Sequence, residues 1–114
     1  MKRAIARLLV LVLALSAIAV PAGARTDEAR GGGRVRVRIV DNRFAPRRIE
    51  IPRGTRVRWV NRGGNPHTTT SNTGLWDSGT LSSGERFTRR FGQRGTFRYH
   101  CEIHPTMTGR IIVT

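Results

Sequence analysis

The residues best able to do chemistry in this 114-residue chain crowd into one short segment, Tyr99-His100-Cys101-Glu102-Ile103-His104-Pro105-Thr106-Met107. The single cysteine, two of the three histidines and one of the two methionines fall between positions 100 and 107. A thiolate, an imidazole and a thioether form a soft to borderline donor set of the kind that suits copper. His67, 34 residues before Cys101, offers a second imidazole from another loop. One cysteine rules out an intrachain disulfide framework and any zinc site of several thiolates, and a thioether is a poor zinc ligand. A cysteine hydrolase built on Cys101 with His104 or His67 shows no legible oxyanion or orienting group and leaves Met107 unexplained. A copper enzyme with further metal centres needs more ligands than three histidines provide.

Positioning narrows the set. His100 and Cys101 are neighbours on an expected strand, so their side chains point to opposite faces and do not share one ion. Cys101 shares the parity of Phe97 and Tyr99 and points inward, and His100 is left as a surface residue. Pro105 keeps Glu102 to Met107 out of a helix interior, so His104 and Met107 are expected on a tight loop able to curl around an ion. His67 closes the loop Asn61-Arg62-Gly63-Gly64-Asn65-Pro66 and approaches from across the molecule.

The elements that carry these loops read as strands. Val35, Val37 and Ile39 alternate with Arg34, Arg36 and Arg38; Val57 and Trp59 alternate with Arg56 and Arg58; Ile49 and Ile51 follow the same period of two. Arg86 to Phe91, Thr96 to Cys101 and Arg110 to Val113 complete the pattern, separated by Ser82-Ser83-Gly84 and Gln93-Arg94-Gly95. No sustained helical period is present. The expectation is an all-β protein, an antiparallel sandwich or barrel of seven or eight strands. Residues 1–24 read as an export signal: Lys2, Arg3 and Arg7, an apolar run from Leu8 to Val20, then Ala22-Gly23-Ala24. The run is shorter than the ~20 residues that span a bilayer, so cleavage is expected, with no stable membrane insertion afterwards. Residues 25–33 form a glycine-ending flexible leader and residues 34–114 the folded domain.

The formal charge of +14 becomes +11 once Lys2, Arg3 and Arg7 are removed, and every remaining basic residue is arginine. Such a charge raises a polyanion-binding module as one function class. The arginines sit on the solvated faces of several strands without interleaved exposed aromatics, so no nucleic acid is expected; steering toward an acidic partner protein is the compatible role.

These residues resemble a known family, the small blue copper proteins or cupredoxins, and among them the short-loop members of amicyanin and plastocyanin type. The resemblance is carried by Cys101-x-x-His104-x-x-Met107, by Trp59-Val60-Asn61 with Pro66-His67, and by the frame of Trp76-Asp77-Ser78-Gly79, Gly84, Phe87, Phe91, Gly95-Thr96-Phe97, Tyr99 and Gly109. It implies a Greek-key β-sandwich of about eight strands holding one copper ion that cycles between Cu(II) and Cu(I). His67, Cys101 and His104 would be the strong ligands and Met107 a long axial one. The Thr68 N–H would point at the thiolate, and the His104 edge, among Pro66, Ile103 and Pro105, would be the electron port. The implied protein is a periplasmic or otherwise extracytoplasmic monomer that passes electrons between redox partner proteins with acidic surfaces and transforms no substrate. A periplasmic copper carrier or storage protein is the alternative within copper chemistry. The chain departs from the family where Asn usually follows the upstream histidine and Thr or Ser follows the cysteine. Here Thr68 is expected to donate to a backbone carbonyl, and Glu102 to set a carboxylate beside the copper and lower its potential.

Overall fold

Alternation of β-branched or aromatic residues with arginine yields strands with one buried and one solvated face. The computed structural model describes residues 33–114. The expected signal segment and, except for Gly33, the expected leader lie outside the described residues. The elements are β1 (Arg34–Val40), β2 (Arg43–Ala45), β3 (Arg48–Ile51), β4 (Thr55–Asn61), β5 (Thr70–Ser71), β6 (Arg86–Phe91), β7 (Gly95–His100) and β8 (Thr108–Val113). Among the described residues there is no helix. The strands form two four-stranded sheets, β2-β1-β4-β6 and β3-β8-β7-β5.

The expected all-β sandwich is present, but its sheets are mixed rather than antiparallel. β1 runs parallel to β4, from Arg34 opposite Arg56 to Ile39 opposite Asn61, and β3 runs parallel to β8, from Arg48 opposite Arg110 to Ile51 opposite Val113. The remaining pairs are antiparallel. The reason is the path of the chain. After β2 it crosses to the other sheet to lay down β3, then returns, so β4 enters beside β1 in the same direction.

Val37, Ile39, Val57 and Trp59 from one sheet meet Ile51, Tyr99, Ile111 and Val113 from the other in a single buried cluster. Trp59 lies in its midst, edge-on to Tyr99 at 5.4 Å between ring centroids and 5.9 Å from Trp76. Glycine is required at position 109, opposite Tyr99 in the β7–β8 ladder, because a Cβ there would run into the phenol ring. One arginine departs from the solvated faces. Arg89 has the parity of Phe87 and Phe91, pairs in register with Val57, and lays its guanidinium 5.0 Å from the Trp76 ring and 4.7 Å from the Phe91 ring. It closes the β6 edge of the core as a cation over aromatic faces.

Candidate metal centre

The site is assembled at the end of the sandwich where β1, β4 and β7 finish. Asn61, the last residue of β4, is fully buried and uses its whole amide: Nδ2 donates to the carbonyls of Asn65 and Leu81, both at 2.9 Å, and Oδ1 accepts the Gly63 N–H at 2.8 Å. These bonds fold residues 61–66 into a fixed loop and deliver His67, which exchanges two backbone hydrogen bonds with Leu81. The imidazole is completely buried. Its Nε2 lies 3.0 Å from Oδ1 of Asp41, just past the end of β1. The Asp41 carboxylate also accepts the N–H groups of Gly64 at 3.0 Å and Asn65 at 3.2 Å. The bond to His67, followed by these two backbone bonds, holds the Asp41 carboxyl down to about 2. A carboxylate on Nε2 fixes the tautomer that keeps the Nδ1 lone pair free, and Nδ1 is the atom that faces Cys101 Sγ, at 3.9 Å. Gly63 makes this packing possible, since a Cβ there would collide with Asp41.

Cys101 follows β7 with the inward parity of Tyr99 and is fully buried. The loop after it closes on itself: the Cys101 N–H donates to the Met107 carbonyl at 3.0 Å and the Met107 N–H to the His104 carbonyl at 2.8 Å. His104, only partly buried, thereby turns Nδ1 to 3.8 Å from Sγ, and its ring centroid stands 5.0 Å from that of His67. One donor atom from each of His67, Cys101 and His104 lies within 4.8 Å of the others. Met107 is buried in the same cluster as Cys101. The structure thus brings together the donor atoms of His67, Cys101 and His104, buries Met107 in the adjoining core, and leaves His100 outside, bonded through Nδ1 to Asn72 and through Nε2 to Glu102.

Two expectations are corrected. Glu102 does not place a carboxylate beside the sulfur. Cys101 points inward, so its neighbour points outward, and the exposed Glu102 carboxylate pairs with His100 at 2.8 Å. Nor does Thr68 donate to a carbonyl: its Oγ1 accepts the Glu102 N–H at 2.8 Å and shares a hydrogen bond with Thr70 Oγ1 at 2.8 Å. The Thr68 N–H donates to Cys101 Sγ at 3.3 Å. Thr68 therefore ties the two loops together through both its backbone and its hydroxyl. The carboxylate that does touch the site is Asp41, which sequence reasoning missed. Its Asp-Asn pair reads as an ordinary turn, and no spacing links it to a histidine 26 residues on.

The cupredoxin-like domain family matches residues 6–113. The chain belongs to that family. Cupredoxin relatives include amicyanin of Paracoccus denitrificans, 27% identical over 86 residues that cover 71% of this chain and 66% of that protein. Amicyanin-alpha of Methylorubrum extorquens is 29% identical over 105 residues, covering 88% of this chain and 87% of that one. Among solved structures, a purple cupredoxin from Nitrosopumilus maritimus superposes with a TM-score of 0.65 at 30% identity, over 70% of this chain and 99% of that one. A copper-containing nitrite reductase from Thermus scotoductus superposes with a TM-score of 0.66 at 32% identity, over 70% of this chain but only 22% of that one. Buried thiolate, imidazole and thioether donors fit copper as they fit no hard cation. Family and donor chemistry together give the cofactor of this cupredoxin as one copper ion, and the general chemistry of such a centre is one-electron transfer.

Proposed function

We propose that the protein is an exported type 1 copper electron carrier in which His67, Cys101 and His104 would hold the metal, with Met107 as a further, weaker donor. The observation that carries this reading is the convergence of Cys101 Sγ with the Nδ1 atoms of His67 and His104, at 3.9 and 3.8 Å. Copper held there would supply a Cu(II)/Cu(I) couple, which suits an electron carrier rather than an enzyme. The chain's own residues do the rest. Asp41 and the Leu81 backbone lock His67 from behind, and the Thr68 N–H withdraws charge from the sulfur; such outer hydrogen bonds tune the couple. His67, Cys101 and Met107 are sealed from water, while His104 is partly exposed beside exposed Pro66, Ile103 and Pro105. Electrons enter and leave through that imidazole, to redox partner proteins that dock on this small apolar rim.

On this reading residues 1–24 direct export, residues 25–33 form a leader, and residues 34–114 are the domain of a monomeric carrier that works in the periplasm or another extracytoplasmic space. The copper carrier or storage reading is less well supported, because rapid release needs open ligands and three of these four are buried. The test is spectroscopic and electrochemical. Copper-loaded oxidised protein is expected to show an intense visible thiolate-to-copper band, absent from Cys101→Ser, and a reversible one-electron wave. A colourless loaded protein overturns the reading, and a coloured protein without a reversible wave favours copper delivery.

A further inference from the structure

The register of the β2-β1-β4-β6 sheet gathers onto one face arginines that the sequence scatters over four strands. Arg34, Arg56 and Arg90 stand in one row across β1, β4 and β6, and Arg36 stands beside Arg58 in the next. Arg38, Arg43 and Arg86 extend the array, so that eight of the twelve outward positions on these strands are arginine. None of the four strands contains an acidic residue, and among the described residues no ion pair reaches these side chains. The opposite sheet is less crowded: its strands carry only Arg48, Arg98 and Arg110, and Arg48 is paired with Glu50 at 2.8 Å. The like charges are felt, since Arg34, Arg86 and Arg36, with some desolvation, push the Arg58 guanidinium below its ordinary range. An unneutralised array of this kind costs the fold self-repulsion, which an anionic surface would relieve.

We propose that this arginine face docks the protein flat on an anionic phospholipid surface. The form of the array selects the partner. Strand spacing of about 4.8 Å and a same-face repeat of about 6.8 Å make a two-dimensional grid, which matches a plane of phosphates rather than the lines of phosphates along a nucleic acid. The face offers no aromatic side chain on which bases could stack. It also lacks the aromatic or large apolar anchors that carry most protein interfaces; the exposed large hydrophobic residues, Leu75 and Ile103, belong to loops outside these strands. Arginine is suited to the role because its planar fork binds phosphate in two-pronged fashion. β4 runs along this face and ends at Asn61, beneath the metal centre. Docking by the face therefore leaves the His104 end pointing sideways, free for a partner.

The test is co-sedimentation of the protein, purified after export, with vesicles of phosphatidylcholine alone or mixed equally with phosphatidylglycerol. Binding to the anionic vesicles is expected at low salt and lost toward about 1 M salt, where screening reaches ~3 Å. Replacing Arg36, Arg58 and Arg90 by Gln is expected to weaken it at least about tenfold, because each basic residue near the surface contributes; an Arg36→Gln/Arg58→Gln pair gives a smaller loss. Replacing Arg47, Arg98 and Arg110 by Gln removes the same charge elsewhere and is expected to cost far less. Equal losses in the two triple variants overturn the proposal, as does an absence of binding. Salt-insensitive binding shared by all variants overturns it as well, since the arginine charges do not carry such binding. Tighter binding to duplex DNA at equal phosphate and salt reassigns the face to nucleic acid.

Discussion

The Asp41 carboxylate does for His67 what no ligand can do for itself: it fixes which ring nitrogen faces the metal. Asp41→Ala is expected to weaken copper affinity about 10–100-fold in competition titrations. Asp41→Asn keeps an oxygen to accept from Nε2–H but removes a negative charge that favours the oxidised ion. Its reduction potential is expected to rise while most of the affinity is retained. Unchanged potential and affinity in both variants would remove Asp41 from the machinery. Tyr99 gives a pH prediction. Burial pushes its phenol well above the ordinary 10.0, so the stability gained from burying the neutral ring is whole below about pH 10 and is lost as pH rises toward the folded value. Tyr99 is the only tyrosine, so tyrosinate absorbance is expected to appear late and together with alkaline unfolding; smooth titration of a folded protein near pH 10 contradicts this. At this scale the cysteine, histidines and methionine were legible because their chemistry is rare and their spacing local. Asp41 and the true direction of Glu102 were not, since each depends on a contact or an orientation that composition does not encode.

Between elements, Thr68 is the fastening. Its hydroxyl accepts the Glu102 N–H across 34 positions of sequence, while its own N–H reaches the Cys101 sulfur. Thr68→Val keeps the shape and the N–H but strands the Glu102 donor, and leaving such a group unpaired costs about 1–3 kcal/mol. Denaturant unfolding of the metal-free variant is expected to show that loss; an unchanged midpoint places the fastening elsewhere. The period of two revealed the long strands and their buried faces, because parity alone decides which side chains are inside. It could not reveal β2 and β5, of three and two residues, which are too short to display a period. It was silent on direction as well, so the parallel β1–β4 and β3–β8 pairs emerge only when the crossover between sheets is seen. Arg89 breaks the arginine-out rule: its parity with Phe87 and Phe91 points it inward, but the Trp76 ring that also receives it comes from another part of the chain and shows only in the structure.

Over the whole molecule, charge is spent unevenly. Crowding by Arg34, Arg86 and Arg36 around Arg58 means that removing one charge relieves three repulsions. Arg58→Gln is therefore expected to raise the thermal midpoint at low ionic strength, despite losing the 3.3 Å bond to Thr88. The gain is expected to fade as salt shortens the Debye length from about 10 Å at 0.1 M; a lower midpoint at every salt concentration contradicts the repulsion. The order of the other sheet has a different consequence. β8, the last strand along the chain, lies between β3 and β7, and its neighbour β7 carries Cys101 at its end. Without β8, β3 has no neighbour in its sheet and β7 keeps only the two-residue β5. That half of the sandwich is therefore closed by insertion, with β8 slotting between strands laid down 57 and 8 residues before it rather than adding to an edge.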